Sequence, residues 1–284
     1  MRKAAAAVLL VFVIGSGVSA DAPIPAPPSG QVRGKEPPYL GAVEKLRPVQ
    51  PPEIYRHGSR SSRKVALTID DGWVEDRELL DILDMYGIRC TVFLPGKVVA
   101  ARPAWVKSLS DRGFEVANHS YSHRLLTYMS DAEIEDDVGK AQKIITRVTG
   151  RTYPYFRPSG GAVDERVLRV LARMGYIVIM WENDVLGYWK DRPMETQLAY
   201  IRAHRANGNI ILSHFGSALR TAQVLRIIIP EMLAEGYQFV TVTELLQEMK
   251  TSGAATGTGT GQGPAGAGVS PGPTGGEKSS GSPD

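Results

Sequence analysis

Three short strings carry side chains that could do chemistry together: Asp70-Asp71-Gly72 closing an apolar run, His119-Ser-Tyr-Ser-His123, and His214 after another apolar run. They offer two carboxylates, two imidazoles four residues apart and a third imidazole placed separately. Imidazoles at i and i+4 fall on one side of a helical turn and can reach a single ion. One carboxylate would complete a three-ligand set. Such a set leaves a coordination position open for water, as in a catalytic rather than a structural zinc site. Taken alone each string is weak, because paired acids before glycine often form a turn and His-x-x-x-His arises by chance on many helices.

To bring these strings together the chain needs elements that carry distant segments to one face. Short β-like runs are expected over 65–69, 90–94, 115–117, 155–157, 176–180, 209–212 and 238–240, alternating with helices over 75–86, 103–112, 131–148, 164–174, 194–206, 218–235 and 242–249. Ser130 followed by Glu133 has the form of a capping box. Gly87, Gly113, Gly150, Gly175 and Gly236 each fall just past a helix, where a left-handed C-cap residue is needed. Seven strand–helix alternations predict an α/β fold with a mostly parallel sheet, a distorted (β/α)7-type barrel in a single catalytic domain. Asp70-Asp71 then follow the first strand, His119 the third, Arg157 the fourth, Asp184 the fifth and His214 the sixth. All lie at C-terminal strand ends, the face on which such folds build their sites.

Composition sets the surroundings. The 284 residues carry 33 Lys and Arg against 30 Asp and Glu, with no basic run, which argues against a nucleic-acid partner. Residues 1–20 have a basic start, an apolar stretch and a small-residue ending at Val18-Ser-Ala20, the pattern of a cleavable export signal; an uncleaved membrane anchor is the competing reading. Residues 21–60 form a Pro-rich linker and 61–250 the folded domain. Residues 251–284 are a Gly/Ser/Pro-rich tail too poor in large apolar side chains to order. The expected location is secreted or cell-wall associated, and the expected state a monomer. Cys90 is the only cysteine, so no intramolecular disulfide exists, and its apolar neighbours make it a core residue. His57 falls in the linker without a partner, and His204 reads as an exposed helix residue.

The ordered motifs also carry a family resemblance. Val65-Ala-Leu-Thr-Ile-Asp-Asp-Gly72, His119-Ser-Tyr-Ser-His123, Phe156-Arg-Pro-Ser-Gly160, Trp181-Glu-Asn-Asp184 with Trp189, and Ile210-Ile-Leu-Ser-His214 occur in sequence order. In this the domain resembles the polysaccharide deacetylases, the NodB-homology group also called carbohydrate esterase family 4. The resemblance implies that Asp71, His119 and His123 hold a divalent cation, usually Zn2+, with Asp70 as general base, His214 as general acid and Arg157 orienting the base. The turn at Ser159 and Gly160 would supply an oxyanion N–H, Asp184 would help tune the catalytic side chains, and Trp73 and Trp189 would contact sugar. The family's fourth motif usually runs D-x-x-D-W. Gly187 stands here where its second acid belongs, with Asp184 or Asp191 as a substitute, and Phe215 follows His214 where Asp is usual.

These readings favour a hydrolase that removes N-acetyl groups from an amino-sugar polysaccharide, peptidoglycan first and chitin-type glycan next. An O-acetyl (xylan) esterase on the same site is a second enzymatic reading, and a glycan-binding protein that has lost turnover is the alternative of another class.

Overall fold

A computed structural model describes residues 53–184, 193–216 and 220–255, excluding the side chains of Asp184 and of 250–255. The leader, most of the Pro-rich linker and the chain beyond 255 lie outside the described residues. The element order is β1 (Ile54–Tyr55), β2 (Lys64–Asp70), α1 (Arg77–Met85), β3 (Thr91–Leu94), α2 (Gly96–Ala101), α3 (Pro103–Asp111), β4 (Glu115–Asn118), α4 (Asp131–Thr149), β5 (Tyr155–Phe156), α5 (Glu165–Arg173), β6 (Ile177–Ile179), β7 (Asn183–Asp184), α6 (Met194–His204), β8 (Ile210–His214), α7 (Thr221–Ala234), β9 (Gln238–Val240) and α8 (Val242–Ala255).

Every strand pairing is parallel, in the order β1-β6-β5-β4-β3-β2-β8-β7, with β9 on the lower part of β2. The period-2 alternation of strand side chains explains how this sheet makes a barrel. One set of residues, including Val65, Leu67, Ile69, Val92, Leu94 and Val116, packs outward with Leu79, Leu83, Leu109 and Ile228 from the surrounding helices. The alternate set, Ala66, Phe93, Ala117, Tyr155, Ile179 and Ile210, meets inside, and Val242, Leu245 and Leu246 of α8 join it from below. The sheet is therefore curled around a filled interior, the distorted (β/α)7-type architecture expected from the alternation. Cys90 is fully buried. The Ser130–Glu133 capping box starts α4, and the five helix-stop glycines all have positive φ.

Several expectations are corrected. The linker expected to run to 60 ends earlier: Ile54 and Tyr55 pair with Val178 and Ile179, and His57 bridges to Asn209, so His57 is not without a partner. This strand escapes pattern reading because two residues cannot show a period. The same brevity hides β7, and α2, at six residues, is too short to show a helical period. The last helix continues into the segment expected to be disordered, to Ala255, carried by the two strong helix formers after Gly253. Finally, His119 and His123 do not sit on a helix. They lie in the loop after β4, where Ser120 (φ 62°) and His123 (φ 61°) adopt left-handed backbone that no helical turn contains.

Candidate active site

Asp70 is the last residue of β2, inward-facing in the row Ala66, Thr68, Asp70, and 3% exposed. The chain turns sharply after it: Asp71 has φ 78°, and its N–H donates to the Phe93 carbonyl at 3.0 Å. That turn sends two adjacent carboxylates in different directions. Asp71 points toward the histidine loop, with Oδ1 at 3.1 Å from His123 Nε2 and 3.8 Å from His119 Nε2. Asp70 Oδ1 instead accepts from Arg157 Nη1 at 2.8 Å.

Arg157 reaches Asp70 from the end of β5, fully buried inside the barrel with its guanidinium 4.2 Å above the Phe93 ring. It donates also to Thr68 Oγ1 (2.7 Å), the Ile179 carbonyl (3.0 Å) and the Met180 carbonyl (3.1 Å). A buried arginine with several acceptors is pre-organised, and its partner carboxylate is fixed with it.

One ligand atom each from Asp71, His119 and His123 lies within 4.8 Å of the other two, a group able to hold a metal ion. The fit is chemical as well as spatial. Asp71 Oδ1 is buried and accepts no hydrogen bond, the condition of an oxygen awaiting a cation. His119 Nδ1 donates to the Arg157 carbonyl at 2.7 Å, which leaves the Nε2 lone pair turned toward the two aspartates, 3.8 Å from Asp71 Oδ1 and 3.8 Å from Asp70 Oδ2. Burial pushes the His119 imidazole down from its ordinary value, only partly opposed by the Asp70 carboxylate. This keeps the ring in the neutral form that a ligand needs. The Asp71 carboxylate, 3.1 Å from its Nε2, pushes the His123 imidazole up. Burial raises the Asp71 carboxyl, but the neighbouring His123, His119 and His214 outweigh it and hold it below the ordinary range.

His214 ends β8, its backbone paired with Asp70. The cleft over these residues is lined by Asp70, Asp71, His119, His123 and His214 and by Pro158, Gly160, Gly161, Trp181 and Leu212. A sequence model of one family, described as polysaccharide deacetylase, matches residues 57–179. A peptidoglycan-N-acetylglucosamine deacetylase of Bacillus cereus is 30% identical over 188 residues, which cover 64% of this chain and 88% of that protein.

The chain belongs to the polysaccharide deacetylase family. Among solved structures similar to this deacetylase-family chain is that of a peptidoglycan N-acetylglucosamine deacetylase (TM-score 0.65, 28% identical, 68% of this chain and 92% of that one). Another is a mutant, with restored enzymatic activity, of a pseudoenzyme from Bacillus anthracis in the same carbohydrate esterase family 4 (TM-score 0.63, 30% identical, 68% of this chain and 71% of that one).

The structure thus brings Asp70, Asp71, His119, His123, Arg157, Gly160 and His214 to one face. Ser159 is buried beneath the turn and does not line the cleft. Trp73 is 43% exposed at the rim, with its ring 6.0 Å from that of His123. The Asp184 side chain, Gly187, Trp189 and Asp191 lie outside the described residues. Sequence reasoning did not single out Thr68, Trp181 and Leu212 as site residues. Thr68 and Leu212 each stand two residues before a site residue, so a strand's period of two places them on the same inner face. Trp181 is recognised only in space, where its ring packs so tightly on Gly161 that a Cβ there would fall 2.7 Å from it.

Proposed function

We propose that this chain hydrolyses N-acetyl groups on an amino-sugar polysaccharide, with acetylated peptidoglycan as the preferred substrate. The observation that carries the reading is the separation of the two neighbouring aspartates. Asp71 faces two imidazoles as a ligand would, while Asp70, outside that set, is held by a buried arginine. A protein that only bound glycan would have no use for a second, oriented carboxylate beside the ligands.

A zinc ion held by Asp71, His119 and His123 would polarise the amide carbonyl and lower the pKa of the attacking water. Asp70, kept in place by Arg157, takes the proton released on attack. The turn at 158–162 uses the Gly161 and Ala162 amides on its own Pro158 and Ser159 carbonyls. Gly160 lines the cleft, and its amide is placed to receive the negative charge that develops on the carbonyl oxygen. His214, carried on a different strand end, delivers a proton to the leaving amine. Trp181 and Leu212 supply the apolar wall that suits an acetyl methyl group. Trp73 at the rim and Trp189 offer rings on which sugars can stack.

A leader of the export type and relatives named for peptidoglycan support a site of action outside the cytoplasm, at the wall. No helix among the described residues is long and apolar enough to cross a membrane.

One observation favours the second reading, glycan binding without turnover: His214 Nδ1 is buried and has no hydrogen-bond partner among the described residues. Assay of free acetate from zinc-loaded protein with acetylated peptidoglycan fragments, chitin oligomers and acetylxylan decides among the deacetylase, the esterase and the binder. Release from the amides supports the deacetylase, release from xylan alone supports the esterase, and none from any of the three supports the binder.

A further inference from the structure

The two candidate histidine ligands sit on a loop whose backbone is costly to hold. Among the described residues only four non-glycines have positive φ, and three of them are Asp71, Ser120 and His123. Such backbone is strained and persists only where its surroundings over-determine it. For Ser120 and His123 the restraint is visible, and its centre is Asp137 on α4.

The Asp137 carboxylate, 9% exposed, faces the middle of the loop and not the cleft. Its Oδ2 accepts from the Tyr121 N–H at 2.8 Å, and its two oxygens share the Ser122 N–H at 3.2 Å. Tyr121 and Ser122 are two of the three residues between the histidines. On the other side the first amides of α2 hold the matching carbonyls, Gly96 N–H to Ser120 O at 2.9 Å and Lys97 N–H to Tyr121 O at 3.1 Å. The approach is close enough that a Cβ on Gly96 would lie 2.4 Å from the Tyr121 ring. Inside the loop, Ser120 Oγ accepts from the His123 N–H at 3.0 Å and Asn118 Oδ1 from the Ser120 N–H at 2.9 Å. Asn118 is itself anchored on the Val138 carbonyl, the residue after Asp137.

From this we infer that Asp137 is a positioning residue for the metal site, one that acts through the loop backbone to set the two imidazoles for a shared ion. It touches neither the ligand atoms nor the cleft. Its charge matters because a carboxylate binds two amide donors more strongly than a neutral oxygen does, and those hydrogen bonds offset the strain at Ser120 and His123. The inference rests on the metal reading of the proposed function, which the test below separates from it.

The test is zinc titration of metal-stripped protein together with amide hydrogen exchange, on the parent, Asp137→Ala, Asp137→Asn and Asp164→Ala. Asp164 serves as a control because it makes the same kind of bond, to the Val167 N–H at 2.7 Å, at the start of α5 and away from the loop. Zinc affinity is expected to fall about 10–100-fold in Asp137→Ala, the usual effect of losing a residue that orients ligands. Exchange at Tyr121 and Ser122 should speed up in that variant. Asp137→Asn, which keeps one acceptor oxygen, should fall between it and the parent, and it carries the test should Asp137→Ala fail to fold. Asp164→Ala should lose stability but keep zinc. Affinity within twofold of the parent's in the Asp137 variants, or an equal fall in Asp164→Ala, overturns the inference. Should the parent take up no zinc, the metal reading falls, while the two amides still decide about the clamp: unchanged exchange in Asp137→Ala overturns it.

Discussion

The two ends of one inward-facing row on β4 treat a titratable side chain in opposite ways. At the lower end Glu115 is buried with only neutral donors: Thr91 Oγ1 at 2.6 Å and the Thr243 N–H at 3.4 Å, the latter in the first turn of α8, which closes the barrel there. Burial pushes its carboxyl above the ordinary carboxylate range, and these hydrogen bonds offset only part of that push. At the upper end the row reaches His119, beside which the buried Asp70 has a guanidinium at 2.8 Å and the cleft lies open. Both ends bury an acid, but only the upper one supplies a full counter-charge. A sealed end can leave its acid protonated, whereas an end built for proton transfer needs an oriented carboxylate and access to substrate.

The sharpest contrast along the row comes from substituting each end in turn. His119→Ala should abolish zinc uptake, since a three-ligand site loses a ligand, while Glu115→Gln should leave zinc uptake unchanged; metal analysis of dialysed protein reads both. Equal zinc loss in the two would mean that the row is not divided by function.

Next in size is Arg157→Ala, which strands Asp70 inside the barrel and removes the side-chain donor to the Ile179 and Met180 carbonyls. Removing one partner of a buried ion pair costs about 3–5 kcal/mol, to be measured by urea unfolding of the metal-free protein. A loss below about 1 kcal/mol, the value of an exposed pair, would show that the interior does not rely on this pair. Thr68→Val keeps the shape and removes the hydroxyl that accepts from Arg157 and donates to the Ile211 carbonyl. It should cost about 1–3 kcal/mol and less turnover than Arg157→Ala, with Thr68→Ser restoring both.

The smallest effect concerns pH. Because the folded-state pKa of Glu115 is raised above the ordinary 4.5, there is a window opening near that value and extending upward in which the unfolded chain is ionised and the fold still holds the proton. The native state binds more protons there, so stability falls as pH rises through the window. Glu115→Gln lacks this loss, and its melting temperature should gain on the parent's as pH rises. A constant offset between the two would mean that Glu115 does not titrate differently in the two states.

Much of this arrangement was legible in the sequence because it depends on local rules. Apolar runs ending in Asp70, His119 and His214 announced strand ends, and the capping box at Ser130 announced the start of α4. The side of the sheet on which those ends meet followed from strand–helix alternation. What stayed hidden depends on tertiary contacts. The spacing of His119 and His123 suits a helix, but Asp137 and Asn118 tie the intervening backbone into a loop, and no local pattern reports a carboxylate sixteen residues away from Tyr121. Trp181 likewise becomes a site residue only when Gly161 lets its ring come close. The strands at Ile54 and Asn183 are held by neighbours already in the sheet and carry too few residues to show a pattern.

The proposed division of duties between the two adjacent aspartates makes Asp71 the ligand and Asp70 the base. Asp70→Asn tests it most directly, with bound zinc and released acetate measured on the same sample of purified protein given acetylated peptidoglycan fragments. Bound zinc should stay at the parent's level and turnover should fall by about 10²–10⁴-fold, the usual contribution of a general base. Zinc lost in proportion to activity, or turnover at the parent's rate, would contradict that division.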